Sequence, residues 1–186
     1  MKHTLRICAS LTIAVLAIVI ANSQTATQHY EKDGVAFDYP EGWVLTDSTS
    51  QQVRTVTLTR KESLAQIAIK MQEDPTASCD FQAQRKKIAD VLTEEITSQI
   101  HAGDRRGALP VTTQIGGSDI EGTQLQGTLN RKRVSASVYS GRLNRRFVSL
   151  IYILAAKDAL AEAAWNTVRT TLTIAPPSPI GRVFEF

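Results

Sequence analysis

The side chains most able to do chemistry are few in this 186-residue chain and lie far apart. Beyond the first ten residues they reduce to Cys79, His29 and His101. Cys79 precedes a predicted helix, and the dipole at a helix N-terminus lowers the pKa of a thiol. A reactive thiol is therefore one interpretation, and an ordinary small residue is the other. Nucleophilic catalysis needs a base beside the nucleophile, and neither histidine is placed to serve. We predict an ordinary thiol at Cys79 and no catalytic residue.

The acidic residues do not form a predicted cation site. Glu94 and Glu95 are neighbours on a predicted helix, so both cannot point into one cleft. Asp119 and Glu121 flank a glycine turn, but they supply too few oxygens to hold a cation. After residue 23 the chain has one cysteine, which excludes an internal disulfide and a zinc site built on several thiolates. We predict no metal and no other cofactor.

Basic residues cluster at two predicted turns, and they are the most suggestive polar feature. The candidate partner contacts are Arg131, Lys132 and Arg133 at one turn and Arg142, Arg145 and Arg146 at the next. Successive turns of a meander lie at opposite ends of a sheet, roughly 25 Å apart for a strand of seven or eight residues. The clusters are therefore two small patches, and each is either a solvated turn or a contact for an acidic partner.

The overall charge argues against a nucleic-acid-binding protein. The formal charge is +3, and it falls to +1 when the first 23 residues are left out, because these hold Lys2 and Arg6 and no acid. A domain so nearly neutral is not a general polyanion binder.

The first 23 residues have the pattern of an export signal. A basic start is followed by an uncharged, mostly apolar run from Ile7 to Ala21 and then by small residues, with cleavage predicted after Ser23 or, as a close rival, after Ala21. The run is short for a bilayer span, so we predict no permanent anchor; an uncleaved N-terminal anchor is the alternative. We expect an exported protein, periplasmic or extracellular, with a flexible lead-in at residues 24–32.

Residues 33–174 have the pattern of a single α+β domain. The stretch 35–45 alternates, turns at Pro40-Glu41-Gly42 and continues with Trp43, which predicts a strand, a tight turn and a strand, with Trp43 structural. Further strands are predicted at 53–60, 64–71, 111–115, 122–129, 134–140 and 147–154, and the last is apolar on both sides and so belongs in the centre of the sheet.

Two helices complete the predicted domain. Ile88, Leu92, Ile96 and Ile100 form an apolar stripe, with Val91 beside it, on a helix at residues 80–100. A second helix is predicted at residues 157–171. Its apolar stripe consists of Leu160, Ala164 and Val168, together with Trp165. Three prolines within four residues predict a disordered tail at 175–186.

The chain resembles the PsbP-like superfamily, which includes the photosystem II protein PsbP, its bacterial exported relatives and a nuclear-transport factor that binds Ran. The stretch "GVAFDYPEGW" (residues 34–43) carries the resemblance, with weaker support from Gly122 and Trp165. The resemblance implies an antiparallel sheet of about six to seven strands with helices on both faces. It also implies an assembly or binding role. The histidine metal sites proposed for plant members have no match here.

We therefore predict an exported, non-catalytic binding or assembly module of the cell envelope, whose partner is an unidentified protein or small ligand. An enzyme with an unrecognised site, based on the thiol of Cys79, is the alternative, and a structural envelope protein is the third possibility.

Overall fold

The computed structural model describes residues 26–61, 63–73, 81–100 and 108–176. These residues form ten strands and two helices. The strands are β1 (Thr27–Lys32), β2 (Val35–Pro40), β3 (Trp43–Ser50), β4 (Val53–Arg60), β5 (Gln66–Glu73), β6 (Leu109–Ile115), β7 (Ser118–Leu129), β8 (Lys132–Leu143), β9 (Arg146–Ala155) and β10 (Thr173–Ile174). The helices are α1 (Phe81–Gln99) and α2 (Ala159–Thr171).

Seven strands form the main antiparallel sheet, in the order β3-β4-β5-β9-β8-β7-β6. β9 is central, as its continuously apolar sequence predicts, because a strand covered on both faces has no polar side. One face packs on α1 through Leu92, Ile96 and Ile100. The other face packs on α2 and on a second sheet. The predicted α+β sheet with helices on both faces is confirmed.

The second sheet has three strands, in the order β1-β2-β10. β2 pairs with β1 on one side and with the short β10, far along the chain, on the other. Val35 and Phe37 of β2 are completely buried against the main sheet. The predicted strand, turn and strand are present, but β2 and β3 do not pair as a hairpin would: Pro40-Glu41-Gly42 carries the chain from one sheet to the other. Gly42 has φ of +84°, which glycine adopts readily.

Residues 27–32 are a strand, so the flexible lead-in predicted for residues 24–32 is wrong for them. Thr27 pairs with Pro40 and Lys32 with Val35. β1 is the edge of the small sheet and is mostly exposed, so its polar residues show no alternation that would indicate a strand. The predicted signal at residues 1–23, and the tail beyond Pro176, lie outside the described residues.

Helix α2 is rotated relative to its predicted orientation. Its buried residues are Ala161, Ala164, Trp165 and Val168, whereas Leu160 is 54% exposed. The indole of Trp165 stacks on the rings of Tyr139 and Tyr152, with centroid distances of 5.6 and 4.9 Å. These large contacts set the rotation of the helix, and Leu160 consequently faces outward.

Helix α1 covers the opposite face, and its described stripe follows the prediction except at Val91, which is 57% exposed. The helix ends in close contact with β7. The amide of Thr128 donates to the carbonyl of Ile100 at 2.6 Å, and a Cβ at Gly127 would lie 2.6 Å from the same oxygen. Only glycine permits this approach. Neither helix among the described residues is long and apolar enough to cross a membrane.

Candidate binding surface

One end of the main sheet collects cations from three separate parts of the chain. The β4–β5 turn, the β7–β8 turn and the connection from β9 to α2 all lie there, because β5 and β9 pair through Gln66 and Ile153 and β8 and β9 pair through Val134 and Ala155. We call this surface the cationic end. Its members are Arg60, Lys61, Arg131, Lys132, Arg133 and Lys157.

Two adjoining clefts of about 400 and 480 Å³ open on the cationic end, and Arg60 and Leu160 line both. The first also includes Trp43 in its lining, and the second includes Lys132. The exposed Leu160 therefore stands between the clefts. The complete linings are Pro40, Glu41, Gly42, Trp43, Arg60, Lys61, Leu160 and Ala163 for the first, and Arg60, Ser63, Leu64, Lys132, Ala155, Ala156, Lys157, Asp158, Ala159 and Leu160 for the second.

Asp158 fixes the start of α2, and with it the position of Leu160. Its carboxylate accepts the amide of Ala161 at 3.0 Å, which caps the helix. It also accepts the hydroxyl of Ser63 at 2.6 Å and the guanidinium of Arg60 at 3.3 Å. The Ser63 hydrogen bond is the largest cause that lowers the pKa of Asp158. The carboxylate thus ties the β4–β5 turn to the helix, and the clefts have a fixed wall.

Most of the cations here have no partner among the described residues. Lys61, Arg131, Lys132, Arg133 and Lys157 are exposed, and none makes an ion pair or a side-chain hydrogen bond with another described residue. The carboxylates of Glu41, Asp158 and Glu162 lie at the same end, and Asp158 is already bound by Arg60. Among the described residues, six cations and three carboxylates therefore lie at this end, and four of the cations line the clefts together with Leu160.

The opposite end of the sheet holds the second basic turn, as predicted, but its cations are largely engaged. Arg146 donates to the backbone carbonyl of Asp33 at 3.2 Å. Nearby, Arg54 donates to both oxygens of Asp47 at 3.1 Å, and Asp47 also accepts from Lys32 and Tyr30. The hydrogen bonds from Arg54 are the largest cause that lowers the pKa of Asp47. This network joins the small sheet to the β3–β4 hairpin.

The structure separates the other residues singled out in the sequence. His29, predicted in a flexible segment, lies on β1, where its Nδ1 is 2.6 Å from Asp38. This hydrogen bond raises the pKa of His29. Cys79 and His101 lie outside the described residues. Glu121 pairs with Arg85 at 2.6 Å, and the described part of the chain holds no cluster of three or more His, Cys, Asp or Glu side chains suited to a metal ion.

Comparisons with known proteins identify the architecture. No family model matches the chain, and no curated protein matches it. The solution structure of cyanobacterial PsbP (CyanoP) from Synechocystis sp. PCC 6803 superposes with a TM-score of 0.53 at 16% identity, over 83% of this chain and 95% of that one. This chain has the PsbP-like fold. The crystal structure of the Saccharomyces cerevisiae Ran-binding protein Mog1p agrees, with a TM-score of 0.51 at 9% identity, over 82% of this chain and 97% of that one.

The predicted resemblance is thereby confirmed at the level of fold. The cationic end, by contrast, was only partly foreseen. The sequence indicated Arg131, Lys132 and Arg133, but Arg60, Lys61 and Lys157 become their neighbours only through strand pairing. The exposure of Leu160 had no sequence signal, because an apolar residue at helical spacing ordinarily indicates a buried face.

Proposed function

We propose that the protein is an exported, non-catalytic binding or assembly module of the cell envelope, which engages its partner through the cationic end. The export part of the proposal is supported by the basic and apolar pattern of residues 1–23. The binding part is supported by the surface described above and by the fold.

The observation that carries the proposal is an exposed leucine surrounded by unpaired cations. Leu160 is 54% exposed and separates the two clefts, and the exposed cations around it have no described counter-ion. A partner that brings negative charge to Lys61, Lys132 and Lys157 breaks no ion pair among the described residues, so its attraction is not offset by the loss of another. An apolar centre with a charged rim is the usual layout of an interaction site.

The fold agrees with this proposal, and the surface carries the argument, because one fold hosts many functions. The yeast structure of the same fold is that of a Ran-binding protein, and the superfamily resemblance implies binding and assembly roles. Arg142, Arg145 and Arg146 at the opposite end stay a prediction as a second contact for the partner.

Photo-crosslinking tests the surface directly. The photoreactive residue p-benzoylphenylalanine replaces Leu160 in one variant and Val91 in another, and each is produced in cells from the full chain. The two sites are matched, since both are apolar helix residues with similar exposure, 54% and 57%. Illumination of the envelope fraction is expected to give a discrete adduct from position 160 and none from position 91. The same adducts from both positions, or none from position 160, would refute the proposal.

A further inference from the structure

We infer that the partner met by the cationic end is an anionic lipid surface, which this end faces in the envelope. The inference rests on the proposed function, because it takes the cationic end as the binding surface. It goes further by naming the chemistry of what is bound: phosphate headgroups against the cations, and acyl chains against Leu160.

The first argument is the place where the chain enters the fold. The carbonyl of Ala26 accepts the amide of Glu41 at 2.8 Å, so the described chain starts beside the loop that lines the first cleft. In the sequence, the apolar run ends at Ala21, five residues before Ala26. Five residues span at most about 18 Å. Before any cleavage, Ala26 is therefore held within this distance of the run, and it lies beside the loop that lines the first cleft.

The second argument is charge. Lipid headgroups attract a cation from a distance of about one Debye length, so the cations need no exact geometric match. The exposed side chains at this end that have no described partner meet that condition. The opposite end meets it less well: Lys32 and Arg54 are bound by Asp47 and Arg146 is hydrogen-bonded to Asp33, although Arg145 is exposed and has no partner among the described residues.

The third argument is the position of Leu160. It lies in the first turn of α2 among the cations and projects outward. An apolar residue within a cationic rim is the arrangement by which peripheral proteins contact the boundary between headgroups and acyl chains. An acidic protein would also fit the charges, so the test must separate these two partners.

Vesicle binding provides the test. The protein is expressed from its full chain and recovered as the cell processes it, and its intact mass shows whether it begins near Gln24 or still carries Met1. Sedimentation is then compared for vesicles of phosphatidylglycerol mixed with phosphatidylcholine and for vesicles of phosphatidylcholine alone. We expect binding to the anionic vesicles only, weakening as the salt concentration rises from about 0.05 to about 0.5 M.

Matched substitutions locate the contact. Lys132→Gln with Lys157→Gln removes two cations of the clefts. The control, Lys86→Gln with Lys87→Gln, removes two exposed lysines of α1 that pair with no described residue. At about one kilocalorie per cation near an anionic bilayer, the first pair should weaken binding by about 30-fold and the control by far less. Equal effects of the two pairs, or no preference for anionic vesicles, would overturn the inference.

Two further outcomes also decide the matter. If Met1 is retained, both kinds of vesicle will bind the protein, and the readout becomes lipid adducts from the photoreactive residue. Adducts from position 160 in excess of position 91 support the inference, and equal yields overturn it. If position 160 crosslinks to a protein in the envelope while the anionic vesicles are not bound, the inference fails and the proposed function stands.

Discussion

Replacing Trp43 by alanine is expected to destabilise the protein strongly. The indole is only 7% exposed and belongs to the core that includes Trp165 and the buried face of β4. It follows directly on the turn that carries the chain between the two sheets. Its removal would therefore leave a cavity at the junction of both sheets with α2.

The magnitude follows from the burial. Truncation of a buried tryptophan typically costs about 3–5 kcal/mol, whereas a domain of this size has roughly 5–15 kcal/mol in total. For a chain of this length, each kilocalorie shifts the melting temperature by about 2–4 °C. We therefore expect Trp43→Ala to lower the melting temperature by roughly 6–20 °C, measured by calorimetry. The urea concentration at the unfolding midpoint should fall as well.

The matched control is Val44→Ala, in the next position of the same strand. The side chain of Val44 points to the other side of β3 and is 39% exposed. Its truncation should cost well under half as much. Binding to the partner, measured on the folded fraction of Trp43→Ala, should be retained at temperatures far below the melting transition. A variant that melts like wild type but no longer binds would refute the structural role and make Trp43 a recognition residue.

The other predictions concern charge. Asp47→Asn should lower the free energy of unfolding near neutral pH by about 2 kcal/mol, with the exposed Asp119→Asn as a neutral control. Because the folded-state pKa of Asp47 is lowered, its contribution is present above the unfolded pKa of about 3.9 and is lost as pH falls below it. Urea titrations between neutral pH and about pH 3 should show a flatter profile in the variant, and parallel profiles would contradict the assignment. Reversal of Arg131, Lys132 and Arg133 to Glu should reduce the photo-adduct from position 160 by about tenfold and flatten its salt dependence. The same reversal of Arg142, Arg145 and Arg146 should do so to a smaller extent, and an equal or larger loss would move the contact to the opposite end.

Local patterns in the sequence predict most of the main sheet. Alternation indicates the strand at residues 53–60, and the apolar run at 147–154 correctly places β9 in the centre. These signals are local because the number of faces that a strand buries, one or both, determines which of its own residues are apolar. Helix α1 is likewise evident from its four-residue spacing.

The predictions from sequence fail where contacts between distant parts of the chain determine the local structure. Pro40-Glu41-Gly42 has turn chemistry whether or not its flanking strands pair with each other, so the sequence cannot distinguish a hairpin from a crossing between sheets. One of the two partners of β2 is β10, which is distant in the sequence and only two residues long. The rotation of α2 is set by the aromatic stack of Trp165, and the cationic end is assembled from three segments by strand pairing.

The pairing of β2 with β10 also constrains the order of folding. Val35 pairs with Ile174, and the amide of Asp38 donates to the hydroxyl of Thr171. The N-terminal strands are therefore completed by residues that are synthesised at the end of the domain. Pairings of such long range are slow to form, because chain entropy is lost before the contacts are gained. The small sheet is therefore completed only when synthesis of the domain is nearly finished.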